Sequence, residues 1–304
     1  DCTAGLGGHA AAVASEMATG TSQVADQNVR ISGDAASTII LNDADPSNLA
    51  RAAASVQAAA LPVRVLAFQG NFADLPRKIQ AAALAADMLL ADLGFASNQV
   101  DDPARGFSFM REGPLDMRLD PSRPLSAADL VNKGSETELT AILRDYGEEP
   151  AARRIAAAIV RARKSAPLLT TTALADLVQA TIGRRPGGIH PATKTFQALR
   201  IAVNDELGSL EALLAAIRHA AQQIAQGAPD PNWLRPGARV AIITFHSLED
   251  RPVKRVFTEL VHEGLAHEIG RGKCAARDEE IAQNPRARSA KLRAIRLLPS
   301  TLPK

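Results

Sequence analysis

Short β-favouring runs set between helix-length segments dominate the first ninety residues, and that alternation admits few folds. Thr38 to Leu41, Val63 to Phe68 and Met88 to Ala91 are the β runs; His9 to Met17 and Pro76 to Ala86 read as helices. Strand, helix, strand in that order needs a crossover connection, so the strands should run parallel in an α/β sheet. Open parallel sheets bind ligands at the carboxyl ends of their strands, which makes the strand-end residues the ones that matter. Of the 304 residues 46% are hydrophobic but only 3% aromatic, so Ala, Leu, Val and Ile must build the core.

Bulk properties narrow the function. No apolar stretch approaches the roughly 20 residues that span a bilayer, and no basic-then-apolar leader opens the chain, so the expected compartment is the cytoplasm. Cys2 and Cys274 lie at opposite ends without paired spacing, which suggests neither a disulfide framework nor a cysteine metal site. The net charge of +2 hides an asymmetry: Arg271 to Lys304 holds nine Lys or Arg against Asp278, Glu279 and Glu280. A basic end of that kind suits a polyanion, or equally a solvated tail.

After Asp92 the alternation breaks. Gly94 to Pro124 is irregular and rich in Arg and Asp, and loops of that length in compact domains are usually functional. Ser126 to Thr181 then becomes Ala-rich and helical, with Thr171 or Thr172 as the cap before Ala173, and reads as a helical insertion. Asp205 to Gln226 places Leu207, Leu210, Leu213, Leu214, Ile217 and Ile224 on one helix face, and Arg239 to Phe245 resumes the sheet. The expected organisation is one sheet domain from residues 1–120 and 205–304, interrupted by a helical domain at 121–204.

Four strand ends carry polar or aromatic groups. DCTAGLGGHA puts Gly5, Gly7 and Gly8 between a strand end and a helix, where a backbone can approach a nucleotide-like ligand closely. Asp43 ends the next strand and suits ribose hydroxyls, while no lysine of the phosphate-loop type stands nearby. Phe72 follows the third strand and Asp92 ends the fourth, with Gln99 beyond it. In IITFHSLEDRPVKRVF, Ile242 to Phe257, a strand fed by a Pro236-Gly237 turn delivers His246, and Ser247 with Asp250 reads as a capping box for a helix bearing Arg251, Lys254 and Arg255. Arg105, Phe107, Phe109 and Arg111 could stack bases and hold phosphates, or could pin a loop. Arg286, Arg288, Lys291, Arg293 and Arg296 form a basic and apolar alternation suited to phosphate contact.

Taken in order, DxTxGxGGH at Asp1 to His9, DLG with Gln99, RGFSFMREGPLDMR, HPATKTFQALRIAVNDEL, FHSLEDR and NPRARSAKLR resemble the bacterial 16S ribosomal RNA cytosine-N4 methyltransferase family over nearly the whole chain. The resemblance implies a Rossmann-like methyltransferase sheet with an inserted all-helical, substrate-recognising domain. It implies S-adenosylmethionine as cofactor, held by Gly7, Gly8, His9, Asp43, Phe72, Asp92 and Gln99, and no metal. The implied partner is 16S ribosomal RNA in the small subunit, met by Arg105, Arg111, Arg251, Lys254, Arg255, Arg286 and Arg288; no membrane is implied, and a homodimer is a further expectation. Asp92 or His246 is expected to accept the proton from the target amine. Three departures stand out: Ala96-Ser97 for a usual Ser pair, Asn98 for a usual Pro, and Pro252 for a usual aliphatic residue, tolerated in a first helical turn. Members of that family carry an upstream segment, so the first strand is expected to be missing before Asp1, with weak cofactor binding as the consequence. Two rivals are a nucleotide-dependent oxidoreductase, which leaves the basic end unexplained, and a non-catalytic RNA-binding assembly factor, which leaves Asp43, Asp92 and the glycines unexplained.

Overall fold

The computed structural model describes residues 1–19, 37–183, 190–227, 232–270 and 272–299, so Arg271 and Lys304 of the basic end lie outside the described residues. The chain forms two compact units, Asp1–Gly94 with Gly208–Lys304, and Phe95–Leu207.

In the first unit β1 (Ser37–Asp43) pairs in parallel with β2 (Val63–Gln69), and β3 (Ala86–Asp92) pairs in parallel with β4 (Leu234–Thr244). The segment Asp1–Ala4 lies between these pairs. The Asp1 nitrogen donates to Ile40 O, Asn42 N to Asp1 O and Ala4 N to Asn42 O, while Cys2 N donates to Leu90 O on the other side. Beyond β4 come β5 (Ala266–Glu268), β6 (Cys274–Ala275) and β7 (Lys291–Leu297), all antiparallel partners within the β4–β7 edge. This is the expected α/β class, a mixed sheet whose parallel part carries Asp43, Gln69 and Asp92 at its carboxyl edge.

Helices cover the sheet because their apolar stripes need burial. α1 (Gly8–Thr19) and α2 (Pro46–Ala58) enclose Ala10, Ala14, Ile39, Leu41, Ala52 and Val56. Asp45 caps α2 by accepting from Ser47 N, with Pro46 preset for the first turn. α3 (Leu75–Ala81) is shorter than the expected 76–86, because the chain turns at Ala83 (φ 53°) to begin β3 at Ala86.

The second unit contributes α4 (Ser97–Asp101), α5 (Ala127–Lys133), α6 (Glu136–Asp145), α7 (Ala152–Ala162), α8 (Thr171–Ile182) and α9 (Thr193–Asn204). Ser126 and Ser135 close capping boxes with Asp129 and Glu138, and the cap of α8 is Thr170, one residue before the expected pair. The boundary also differs from the expected 120/121. Phe107, Phe109, Leu115 and Met117 pack into the helical core with Leu139, Leu143, Ile155 and Leu199, so residues 95–120 belong to this unit.

α10 (Glu206–Ala225) and α11 (Ser247–His262) complete the first unit's core: Leu210, Leu213, Leu214 and Ile217 meet Leu89, Val240, Ile242, Val253 and Phe257. Each such fully buried aliphatic side chain is worth roughly 1.5–3 kcal/mol. Pro236-Gly237 lies inside β4, not before it: the register slips between Ala86 and Met88, and Gly237 takes φ 83° there. Such a bulge is where a strand tolerates both residues. Among the described residues no helix is long and apolar enough to cross a membrane.

Candidate active site

The glycine loop is tied to β1 by a carboxylate. Asp43 Oδ2 accepts from Gly5 N at 2.8 Å and Oδ1 accepts from Asp45 N at 2.8 Å, so one side chain fixes both the loop before α1 and the turn into α2. Gly5 (φ 52°) and Gly7 (φ 86°) occupy backbone conformations that favour glycine. Their neighbour differs in kind. A Cβ on Gly7 would sit 2.8 Å from Ala52 Cα, whereas a Cβ on Gly8 meets nothing within 4 Å. Gly7 therefore lets α1 and α2 approach, and Gly8 leaves open space at the first turn of α1. Strand-end position alone points Asp43 to ribose; its clamp on Gly5 is a role that only the pairing of distant segments reveals.

Asp92, at the end of β3, is held by Thr3, whose Oγ1 accepts from Asp92 N at 2.7 Å. His9 Nδ1 lies 3.5 Å from Asp92 Oδ2. Burial pushes the Asp92 carboxyl above the ordinary range; His9 pulls it down and the Glu249 carboxylate pushes it up further. Asp92 Oδ1 is buried and has no hydrogen-bond partner among the described residues. An unsatisfied buried carboxylate oxygen at a strand end fits a ligand that brings a cationic or hydrogen-bonding group. Those are properties of S-adenosylmethionine, with its sulfonium, amino group and ribose hydroxyls. Phe72 opens a short 3₁₀ turn after β2 and packs partly buried against the core.

His246 ends the β4 connection and is itself the N-cap residue of α11. The expected box of Ser247 and Asp250 is displaced by one residue. Glu249 Oε2 accepts from Phe245 N at 2.8 Å, and Asp250 instead receives Arg293 Nε at 2.7 Å and Nη2 at 3.2 Å. Glu249 Oε1 lies 3.2 Å from His246 Nε2, yet neither ring nitrogen makes an aligned hydrogen bond among the described residues. The ring is thus placed by its backbone more than by its own bonds.

The basic residues divide sharply. Arg251, Lys254 and Arg255 are exposed along α11, as are Arg286 and Arg288 in a 3₁₀ turn at Pro285–Ser289. Arg293 is not available to phosphate: it is buried on β7 and bound to Asp250, whose carboxyl it holds below the usual range. In the second unit Arg111 is exposed, but Arg105 Nη2 donates to the Arg118 and Leu119 carbonyls and its guanidinium lies 5.8 Å from the Phe107 ring. Phe109 stacks on His190 at 4.5 Å and meets Phe196 edge-on at 4.8 Å. These partly buried aromatics pack against the helical core, which favours the loop-pinning alternative over base stacking. Gln99, buried in the second unit, accepts from Ala96 N at 2.9 Å and shapes its own turn.

A glycine turn feeding a helix at the carboxyl edge of parallel strands, with strand-end acids and no lysine in the loop, defines an α/β enzyme for a nucleoside-bearing cofactor. Residues 1–298 match the model of the MraW methylase family, and the chain belongs to that family. It is 43% identical over 282 residues to a ribosomal RNA small subunit methyltransferase H of Methylobacterium nodulans, covering 87% of this chain and 78% of that protein. Proteins of the same name from Solibacter usitatus (43% over 298 residues, 98% of this chain and 92% of that protein) and Synechocystis (46% over 233 residues, 76% and 69%) are similarly close. This chain is therefore a methyltransferase that depends on S-adenosylmethionine, and the oxidoreductase and non-catalytic readings are not favoured.

Proposed function

We propose that this chain methylates the exocyclic N4 of a cytosine in the decoding region of 16S ribosomal RNA. The observation that carries the reading is Asp92, a half-buried strand-end carboxylate with one buried, unsatisfied oxygen, whose other oxygen lies 3.5 Å from His9 in the turn of helix that follows the glycine loop. When bound, the cofactor supplies an electrophilic methyl group on a sulfonium. Asp43 and Gly8 hold its nucleoside part, with Gly7 setting the loop. Gln99 enters the cofactor set through the family resemblance.

The cytosine amine is a poor nucleophile, because its lone pair is conjugated with the ring. Positioning therefore supplies much of the acceleration, and an acceptor on the amine helps it pyramidalise and lose its proton. Asp92 suits that role, because burial raises its affinity for a proton above that of a surface carboxylate. His246 is the second candidate, with both ring nitrogens buried and unengaged in aligned hydrogen bonds. The target base is unpaired or extruded to reach such a site. Arg251, Lys254, Arg255, Arg286 and Arg288, all exposed, meet phosphate, and counterion release supplies much of the affinity. The reading places the protein in the cytoplasm with its substrate; light scattering at twice the monomer mass is what the homodimer expectation requires.

Turnover on unmodified RNA at saturating cofactor tests the proton acceptor. Asp92→Asn should lose activity at least tenfold, and His246→Ala should lose a smaller share. Near wild-type turnover by both variants overturns the assignment.

A further inference from the structure

Outside the sheet unit, one surface has a chemistry that no assigned role uses. Between Glu149 and Asp176 the sequence holds Arg153, Arg154, Arg161, Arg163 and Lys164 and no acid at all. α7 and α8 pack together here and leave a groove of about 490 Å³, floored by Ala157, Ala158, Ala162 and Ala180 and bounded by Arg154, Arg161, Leu177 and Thr181. The helix repeat explains the arrangement: Arg154, Ala157, Ala158 and Arg161 are spaced i, i+3, i+4, i+7 and share one face. The opposite stripe, Ile155, Ala156 and Ile159, is buried in the core.

The arginines do different work. Arg163 Nη1 donates to the Val131 and Gly134 carbonyls and so ties α7 to α5. Arg154 and Arg161 are exposed, two turns or about 11 Å apart along the axis. Arg154 is also oriented: its Nη2 donates to Thr181 O near the end of α8 at 2.6 Å, which fixes one end of the groove. An ordered guanidinium loses less entropy on binding than a free one.

We propose that the α7–α8 groove is a binding surface for the sugar-phosphate backbone of the RNA substrate, with Arg154 and Arg161 as phosphate ligands. The proposal rests on the reading that the substrate is RNA, and within the helical unit that the resemblance already expects to recognise substrate it assigns one particular groove and two arginines to that contact. Charge complementarity selects the occupant. Two cations over an alanine floor let a polyanionic backbone lie close, whereas an acidic peptide would find only Leu177 as an apolar anchor.

The test measures RNA binding directly, by anisotropy of a labelled 16S decoding-region fragment over a salt series. Arg161→Glu should weaken binding about tenfold at low salt, and Arg161→Gln should lower the slope of log affinity against log salt by about one. Arg144→Glu, at an exposed position of α6 with the same charge change, should stay within twofold of wild type, and an unshifted melting temperature for Arg161→Glu shows that the fold is intact. If wild type binds and methylates the fragment while both Arg161 variants match it in affinity and slope, the groove proposal falls and the functional reading stands. If wild type binds cofactor but no RNA, the functional reading falls and takes the groove with it. Binding of polyglutamate at the same groove as tightly as RNA also overturns the proposal.

Discussion

Asp43 Oδ2 accepts the backbone N–H of Gly5 at 2.8 Å, so the acid that ends β1 also sets the glycine loop 38 residues earlier. The loop geometry thus depends on the same carboxylate that we propose for the ribose hydroxyls of the cofactor. Hydrogen bonds to charged groups contribute about 1.5–3 kcal/mol. Asp43→Asn should therefore weaken S-adenosylmethionine binding by roughly ten- to a hundredfold in calorimetry. An unchanged affinity would separate Asp43 from the cofactor.

The two adjacent glycines should respond oppositely. Gly7→Ala places a Cβ 2.8 Å from the Ala52 backbone at φ 86° and should cost about 2 kcal/mol or more, read as a lowered denaturation midpoint. Gly8→Ala meets no protein atom within 4 Å and should leave stability unchanged or slightly raised. It should nonetheless weaken cofactor binding about tenfold, because the added methyl enters the space the ligand needs. Equal losses of stability in both variants would contradict the distinction.

Asp92 should show a trade of stability for function. Its folded carboxyl is raised above the ordinary 3.8, chiefly by burial. A carboxyl raised on folding favours the native state at low pH and loses that contribution as pH rises through the folded value, so the ionised form is a burden at neutral pH. Asp92→Asn should raise the melting temperature at pH 7, with the gain over wild type shrinking as pH falls, while turnover drops. A variant less stable at pH 7 would mean that the carboxylate is better satisfied than its geometry indicates.

Asp250 carries the opposite sign. Arg293 holds its carboxyl below 3.8, so its contribution is complete above that value and is lost as pH falls through the lower folded one. Asp250→Ala leaves Arg293 buried without its partner and should cost about 3 kcal/mol at pH 7 in chemical denaturation. The difference from wild type should narrow below about pH 4. A cost independent of pH would point to lost packing instead.

The sequence displayed what is local and concealed what is paired across distance. The glycine loop, the strand-end acids and the amphipathic face of α10 are neighbours in sequence, and each was legible. Lys291 to Leu297 was not: its basic and apolar alternation reads as a phosphate-binding tail, yet period two is also the signature of a strand, and its pairing with β4 buries Arg293. The same limit applies to Asp250, whose partner lies 43 residues away and removes it from the cap it seemed to form. Phe107 and Phe109 looked available for bases because a glycine-broken loop hides the helical core into which they fold.

The central claim is tested most directly by incubating the protein with small ribosomal subunits that lack this modification and methyl-labelled S-adenosylmethionine, then mapping the labelled nucleotide. The expected result is one methyl group on N4 of a decoding-region cytosine of 16S ribosomal RNA, abolished or strongly reduced by Asp92→Asn. Label on another atom or another RNA, or none from wild-type protein shown to bind the cofactor, would contradict the account.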